Sequence, residues 1–128
     1  MAGISERRRM LKQTVLRRKS DFERAYNKGK AFGERYIILF VKNNNLPYNR
    51  VAFLASKKVG NSVKRNRARR LMKESYREIK KSVAEGYDMV FVARKTINDL
   101  KCQDVKKSME AAVKKTEALK RNDLAGEI

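Results

Sequence analysis

The sequence predicts a single α+β domain, an α/β sandwich whose elements run helix, two or three strands, helix, strand, helix. Three observations predict it. β-branched and aromatic residues crowd residues 36–41 and 51–55, as strands require. After Gly60 the apolar period lengthens to that of an amphipathic helix. A further apolar run at residues 89–93 is separated from the strand at 51–55 by that whole helix, so a parallel crossover joins them. At 128 residues and 41% hydrophobic composition, the chain can bury one modest core.

Residues 1–19 carry seven basic side chains against one acid, Glu6, and are predicted to be a mobile basic arm. The domain is placed at residues 20–121 and a C-terminal tail at 122–128. Ser20 or Asp21 caps a short first helix in which Phe22, Ala25 and Tyr26 share a face, ending near Gly29. Lys30, Ala31 and Phe32 form a short extra strand. Tyr36, Ile37, Ile38, Leu39, Phe40 and Val41 form the next, closed by Asn43, Asn44, Asn45, Leu46 and Pro47. The short connection predicts that residues 51–55 pair back antiparallel on that strand. The strand near Tyr36 also admits a one-residue slip, which exchanges Ile38 and Phe40 for their opposite-facing neighbours.

In the long helix Ala68, Leu71, Met72, Ser75, Ile79 and Val83 line the apolar side, with Asn61 or Ser62 as the cap and Gly86 as the stop. Val105, Met109, Ala112 and Val113 mark the last helix. Asp99 and Asp104 lie near its positive end, and Lys114, Lys115 and Lys120 toward its negative end.

Charge bounds the function. Lys and Arg number 33 against 14 acids, a formal charge of +19, so the surface is built to meet a polyanion. No run approaches the roughly 18 apolar residues of a spanning helix, and none resembles a secretory core, so the reading is cytoplasmic with no membrane partner. The single Cys102 excludes an internal disulfide. The absence of His removes the commonest general base and metal ligand, so histidine-pair nuclease chemistry and zinc hydrolysis are excluded. Glu74 and Glu78 sit one turn apart, but Lys73, Arg77, Lys80 and Lys81 make them surface ion pairs rather than metal ligands. Asp88 has no evident carboxylate companion. No residue is assigned a catalytic role and no protein-bound metal is expected.

The charge is concentrated. Residues 57–81 hold eleven bases and only two acids. On a helical wheel Asn66, Arg67, Arg69, Arg70, Lys73, Arg77, Lys80 and Lys81 share the arc opposite the apolar stripe. Cations on a rigid helix release counterions from phosphates without ordering a chain first, and guanidinium groups add two-pronged hydrogen bonds.

The run SKKVGNSVKRNRARRLMKESYR at residues 56–77 closely resembles the signature of the bacterial ribonuclease P protein family, centred on Arg65, Asn66 and Arg67 and followed by Arg69 and Arg70. The basic arm, the DF..AY helix at residues 21–26, the strand at 35–40 and the VFVARK strand at 90–95 occur in the family's order. The resemblance implies a ribosomal protein S5 domain 2-like fold, αβββαβα, with a left-handed βαβ crossover, where the general connection rule favours right-handed in about 98% of cases. It implies that Lys57, Lys58, Asn61, Lys64, Arg65, Asn66, Arg67, Arg69, Arg70 and Lys73 face a catalytic RNA. It also implies that Phe22, Tyr26, Ile38, Phe40 and Ser56 line a cleft for the single-stranded 5′ leader of precursor tRNA, where aromatic faces accept any base. Without the resemblance, those aromatic residues read as ordinary core. Where the family often has Phe, Tyr26 adds a phenol. The expected partners are the ribonuclease P RNA and precursor tRNA, with no obligate protein partner. Mg²⁺ is expected to be held mainly by the RNA, which performs the cleavage. The rival readings are a ribosomal protein and a chromosome-binding protein, both of which set basic helices on phosphate.

Overall fold

The computed structural model describes residues 15, 16, 18–98 and 100–116. Along it run α1 (Lys19–Lys28), β1 (Lys30–Gly33), β2 (Ile37–Asn43), β3 (Arg50–Leu54), α2 (Ser62–Ile79), β4 (Tyr87–Ala93) and α3 (Cys102–Lys114). The helix–strand order is the predicted one, including the short extra strand. Most of the basic arm, the C-terminal tail, Asp99 and Lys120 lie outside the described residues.

The four strands form one sheet in the order β1-β2-β4-β3. This corrects the expected pairing of residues 51–55 with the strand before the Asn-rich loop. β4 lies between them, antiparallel to β2 from Ile37↔Ala93 to Asn43↔Tyr87 and parallel to β3 from Arg50↔Asp88 to Leu54↔Val92. Consecutive residues Met89, Val90 and Phe91 of β4 are fully buried, so the strand is covered on both faces and gains most from the central position. The predicted parallel crossover through the long helix is present.

Strand alternation divides the interior in two. Ile37, Leu39, Val41, Met89 and Phe91 point to a core closed by Met72 and Ala68 of α2 and by Val105, Met109, Ala112 and Val113 of α3. Their neighbours turn to the opposite face, where Ala25 of α1 and Leu16 cover Ala52 and Val90. Ile38 and Phe40 therefore face the α1 side, and the slipped register is not the one adopted. Each fully buried Leu- or Phe-sized side chain contributes about 1.5–3 kcal/mol.

Local chemistry explains the ends. Asn61 Oδ1 accepts from the Lys64 backbone N–H at 3.0 Å and starts α2, as its residue type predicts. Ser75, which falls in the apolar stripe, satisfies its buried hydroxyl on the Leu71 carbonyl at 2.7 Å. The helix does not run to Gly86. It tightens into a 3₁₀ turn at Lys80–Ser82, which lets Val83 leave the helix extended and still reach the core. Gly86, at φ +103°, instead makes the turn into β4.

The first helix also differs at its start. Arg18 is the N-cap, with no side-chain cap bond, and Ser20 and Asp21 lie inside the first turn. Asp21 is buried and engaged by Arg50, a charged partner that outweighs a cap. Gly29 ends the helix, with the 2.6 Å approach of a would-be Cβ to the Val41 carbonyl as the reason for glycine. Packing begins earlier than residue 20. Leu16 is only 3% exposed, its N–H donates to the Val51 carbonyl at 3.2 Å, and Val15 forms a parallel bridge to Val51.

Candidate nucleic-acid interface

The loop before α2 and the helix itself present the basic surface. Val59, buried, anchors the loop, and its carbonyl accepts from Asn98 Nδ2 at 2.8 Å. Gly60 sits at φ +144° against the Lys64 side chain, so the loop turns tightly into the helix. Lys57, Lys58 and Lys64 are exposed on this turn. The Asn61 side-chain oxygen is taken by the cap.

The central arginines are more constrained than a helical wheel suggests. Arg65 donates from Nη2 to Ser62 Oγ at 3.1 Å, while its buried Nε has no hydrogen-bond partner among the described residues. Arg69 Nη1 donates to Asn66 Oδ1 at 2.7 Å. Arg67 departs from its expected place on the open arc. It is half-buried on the α3 side, and Nη2 donates to the Leu100 carbonyl at 2.6 Å. The carbonyls ahead of α3 attract a guanidinium that the wheel alone assigns to solvent. Arg70 and Lys73 stand exposed. Among the described residues, Lys57, Lys58, Lys64, Arg65, Arg69, Arg70 and Lys73 have no carboxylate within ion-pair distance, whereas Glu74 and Glu78 pair with Arg77 and Lys106 at 2.6 and 3.2 Å. Among the described residues, this stretch of the cationic face is therefore not neutralised by acids.

On the other face of the sheet, α1 leaves an open cleft. Phe22 and Phe40 are half-buried against the smaller core, and the Tyr26 ring meets Phe40 edge-on at 4.7 Å. Tyr26 is 39% exposed, and burial raises its phenol pKa, so the hydroxyl stays a hydrogen-bond donor. Farther along, Ile38 and Ser56 line a recess of about 840 Å³ together with Val92 and the cationic Arg35, Lys58, Arg94 and Lys95. The five cleft residues expected from the sequence thus share one face, with the aromatic ones at the α1 end and Ile38 and Ser56 at the basic end.

Among the described residues no three His, Cys, Asp or Glu side chains gather as a metal site. Asp88 does have a carboxylate neighbour, Asp21, but Arg50 lies between them. Its Nε and Nη2 donate to Asp88 at 2.8 and 2.7 Å, and Nη1 and Nη2 reach Asp21 at 3.2 and 3.3 Å. Hydrogen bonding to Asp88 foremost, opposed by desolvation and aided by Asp21, holds the guanidinium pKa above its usual range. A pair of carboxylates already bridged by a cation does not fit Mg²⁺, which takes unpaired oxygen ligands.

Residues 10–117 match the sequence model of the family Ribonuclease P. The chain belongs to the ribonuclease P protein family. It is 42% identical over 103 residues to the ribonuclease P protein component of Clostridioides difficile strain 630, covering 80% of this chain and 90% of that one. It is 41% identical to that of Caldanaerobacter subterraneus subsp. tengcongensis over 105 residues, 82% of this chain and 90% of the relative. The solved ribonuclease P protein of Staphylococcus aureus superposes with a TM-score of 0.74 at 26% identity, over 84% of this chain and 98% of that one.

Within this ribonuclease P fold, sequence reasoning missed Leu54, Val92, Arg35 and Arg94 beside the cleft. Leu54 pairs with Val92, and Val92 with Ile38, so all three lie on the α1 face. Strand alternation marks them as soon as β4 is placed between β2 and β3. No helix among the described residues is long and apolar enough to cross a membrane.

Proposed function

We propose that this chain is the protein subunit of a ribonuclease P ribonucleoprotein, acting in the cytoplasm to promote endonucleolytic removal of the 5′ leader from precursor tRNA. The observation that carries the proposal is the loop and α2 as far as Lys73, where among the described residues Lys57, Lys58, Lys64, Arg65, Arg69, Arg70 and Lys73 have no carboxylate within ion-pair distance, in a chain that belongs to this family. In this reading the loop and helix residues Lys57, Lys58, Asn61, Lys64, Arg65, Asn66, Arg67, Arg69, Arg70 and Lys73 meet the catalytic RNA. Arg67 acts partly by fixing α2 to the start of α3. The leader lies along Phe22, Tyr26, Phe40, Ile38 and Ser56.

The division of labour follows from the side chains. The RNA, with its own Mg²⁺, supplies the hydrolysis. The protein supplies cations where two polyanions meet and aromatic faces that hold bases irrespective of sequence. The Tyr26 phenol can donate to a sugar or phosphate oxygen, and the Arg35–Arg94 end of the cleft offers guanidinium groups to the leader backbone.

The test is reconstitution at low Mg²⁺ with the catalytic RNA and a precursor tRNA, with and without the chain. Stimulation of leader removal that is weakened by Arg65→Ala is the expected result. Cleavage by the chain alone, or no effect on the RNA, overturns the reading. Stoichiometric sedimentation with ribosomes would favour the ribosomal alternative, and preference for duplex DNA over precursor tRNA at matched salt the chromosomal one.

A further inference from the structure

The C-terminal half of α2 borders a second groove, on the opposite face of the sheet from the leader cleft. β3 is an edge strand, and between it and α2 lies a recess of about 600 Å³. Lys73, Arg77, Lys80 and Lys81 form its helix wall, Phe53, Tyr76 and Val83 its floor, and Tyr48 and Val15 its far side. Among the described residues no carboxylate lies within ion-pair distance of Lys73, Lys80 or Lys81. Arg77 is held by Glu74 at 2.6 Å, and Glu85 is the one acid on the lining.

We propose that this groove is a second docking site for the catalytic RNA, and that it takes an unpaired strand. The inference rests on the proposed function and extends it to a surface outside the loop and the arginine cluster. Three features support it. The cations continue the basic face of α2, a helix of 18 residues and so ~27 Å long, and RNA lying along its first half is carried to the second. Phe53 and Tyr76 of the floor are aromatic and only half-buried. A duplex keeps its base faces stacked inside and offers only backbone and groove edges, whereas an unpaired strand offers base faces to stack on the rings. Phe53 pairs in register with Phe91 and stacks on it at 5.7 Å on the α2 side of the sheet, so a leader seated on Ile38 and Phe40 is on the wrong face to fill this groove.

The experiment uses the full chain and the catalytic RNA. Affinity is measured across a salt series for the wild type, for Lys80→Ala with Lys81→Ala, for Tyr48→Ala, and for Lys101→Ala with Lys107→Ala, which removes the same charge from exposed positions at the start and middle of α3. The groove double variant is expected to bind about tenfold more weakly, with a log–log salt slope smaller by roughly 1.4, or about 0.7 for each phosphate of a single strand that is no longer neutralised. Tyr48→Ala is expected to bind about fivefold more weakly, because a base is no longer stacked, at an unchanged salt slope. In both, the preference for leader-bearing over mature tRNA stays as in the wild type. A photoreactive side chain at position 81 is expected to cross-link unpaired nucleotides of the catalytic RNA. Unchanged affinity and slope in the groove variant, equal losses in the α3 control, or cross-links confined to the leader or to helical stems each overturn the proposal. Failure of the wild type itself to bind the catalytic RNA overturns the parent reading instead, so the two failures are distinct.

Discussion

The two faces of the sheet are built to different standards. On the side of α2 and α3, Ile37, Leu39, Met89, Phe91, Met72 and Met109 are sealed from solvent in one continuous core. On the side of α1, four small or medium side chains are fully covered, while Phe22, Phe40, Leu54 and Val92 stay half-open around them. One short helix cannot cover a four-stranded sheet. The incomplete coverage teaches that the fold draws its stability from one face and leaves the other available to a ligand.

The comparison breaks if the closed face can be opened cheaply. Phe91→Ala, which removes the ring stacked on Phe53 and tilted against Tyr76, is expected to lose about 3–5 kcal/mol, read from the denaturant midpoint. Loss below about 1 kcal/mol would mean that the large core is not the main support.

Arg50 pins the open side together, because it ties Asp21 of α1 to Asp88 of β4 on the α1 face of the sheet. Arg50→Met leaves two nearly buried carboxylates facing each other. It is expected to cost about 3 kcal/mol, the low end for removing one partner of a buried pair, since the guanidinium keeps some exposure to solvent. Chemical denaturation of the variant checks this, and restoration by Arg50→Lys is expected to be partial because Lys lacks the fork.

The closed face also has a pH signature. Burial foremost, with the charge of Glu85 adding and a hydrogen bond with Asn49 opposing, pushes the Tyr76 pKa up to about 12 from 10.0. A raised folded-state value favours the neutral phenol, so stability is intact below pH 10 and falls as pH rises from there through about 12. The loss is on the order of 3 kcal/mol for a pKa difference of about two. Tyr76→Phe should remove that part of the alkaline decline, and urea midpoints across the range measure it.

The smallest effect belongs to the open face. Tyr26→Ala should leave thermal stability almost unchanged and weaken leader-bearing precursor tRNA by about 1–2 kcal/mol relative to mature tRNA. Equal losses for the two ligands would remove Tyr26 from the leader path.

What is legible in the sequence depends on how far a signal reaches along the chain. The period of Ala68, Met72, Ser75 and Ile79 is local, and α2 lies where it places it. The alternation at Ile37–Val41 assigns Ile38 and Phe40 to one face even though the expected partner strand is the wrong one. Strand order is not legible, because a short Asn-rich connection looks like a hairpin and nothing within it shows that β4 will enter from about 40 residues downstream. The Arg50 bridge is hidden for the same reason. Asp21 and Asp88 are distant in sequence, and only the parallel register Arg50↔Asp88 makes them neighbours. Arg67 is misplaced by a wheel that knows the axis of its own helix but not the carbonyl of Leu100 beyond it.

The central place of β4 has a consequence for how the molecule comes into being. During synthesis, β2 and β3 emerge from the ribosome with no strand between them, and the β1–β2 hairpin by itself is only marginally stable. Both binding faces are therefore assembled late and together, when Tyr87–Ala93 slots into the gap and converts separate ribbons into one sheet. Any nascent chain that stops short of Tyr87 carries the cationic helix without the platform that aims it.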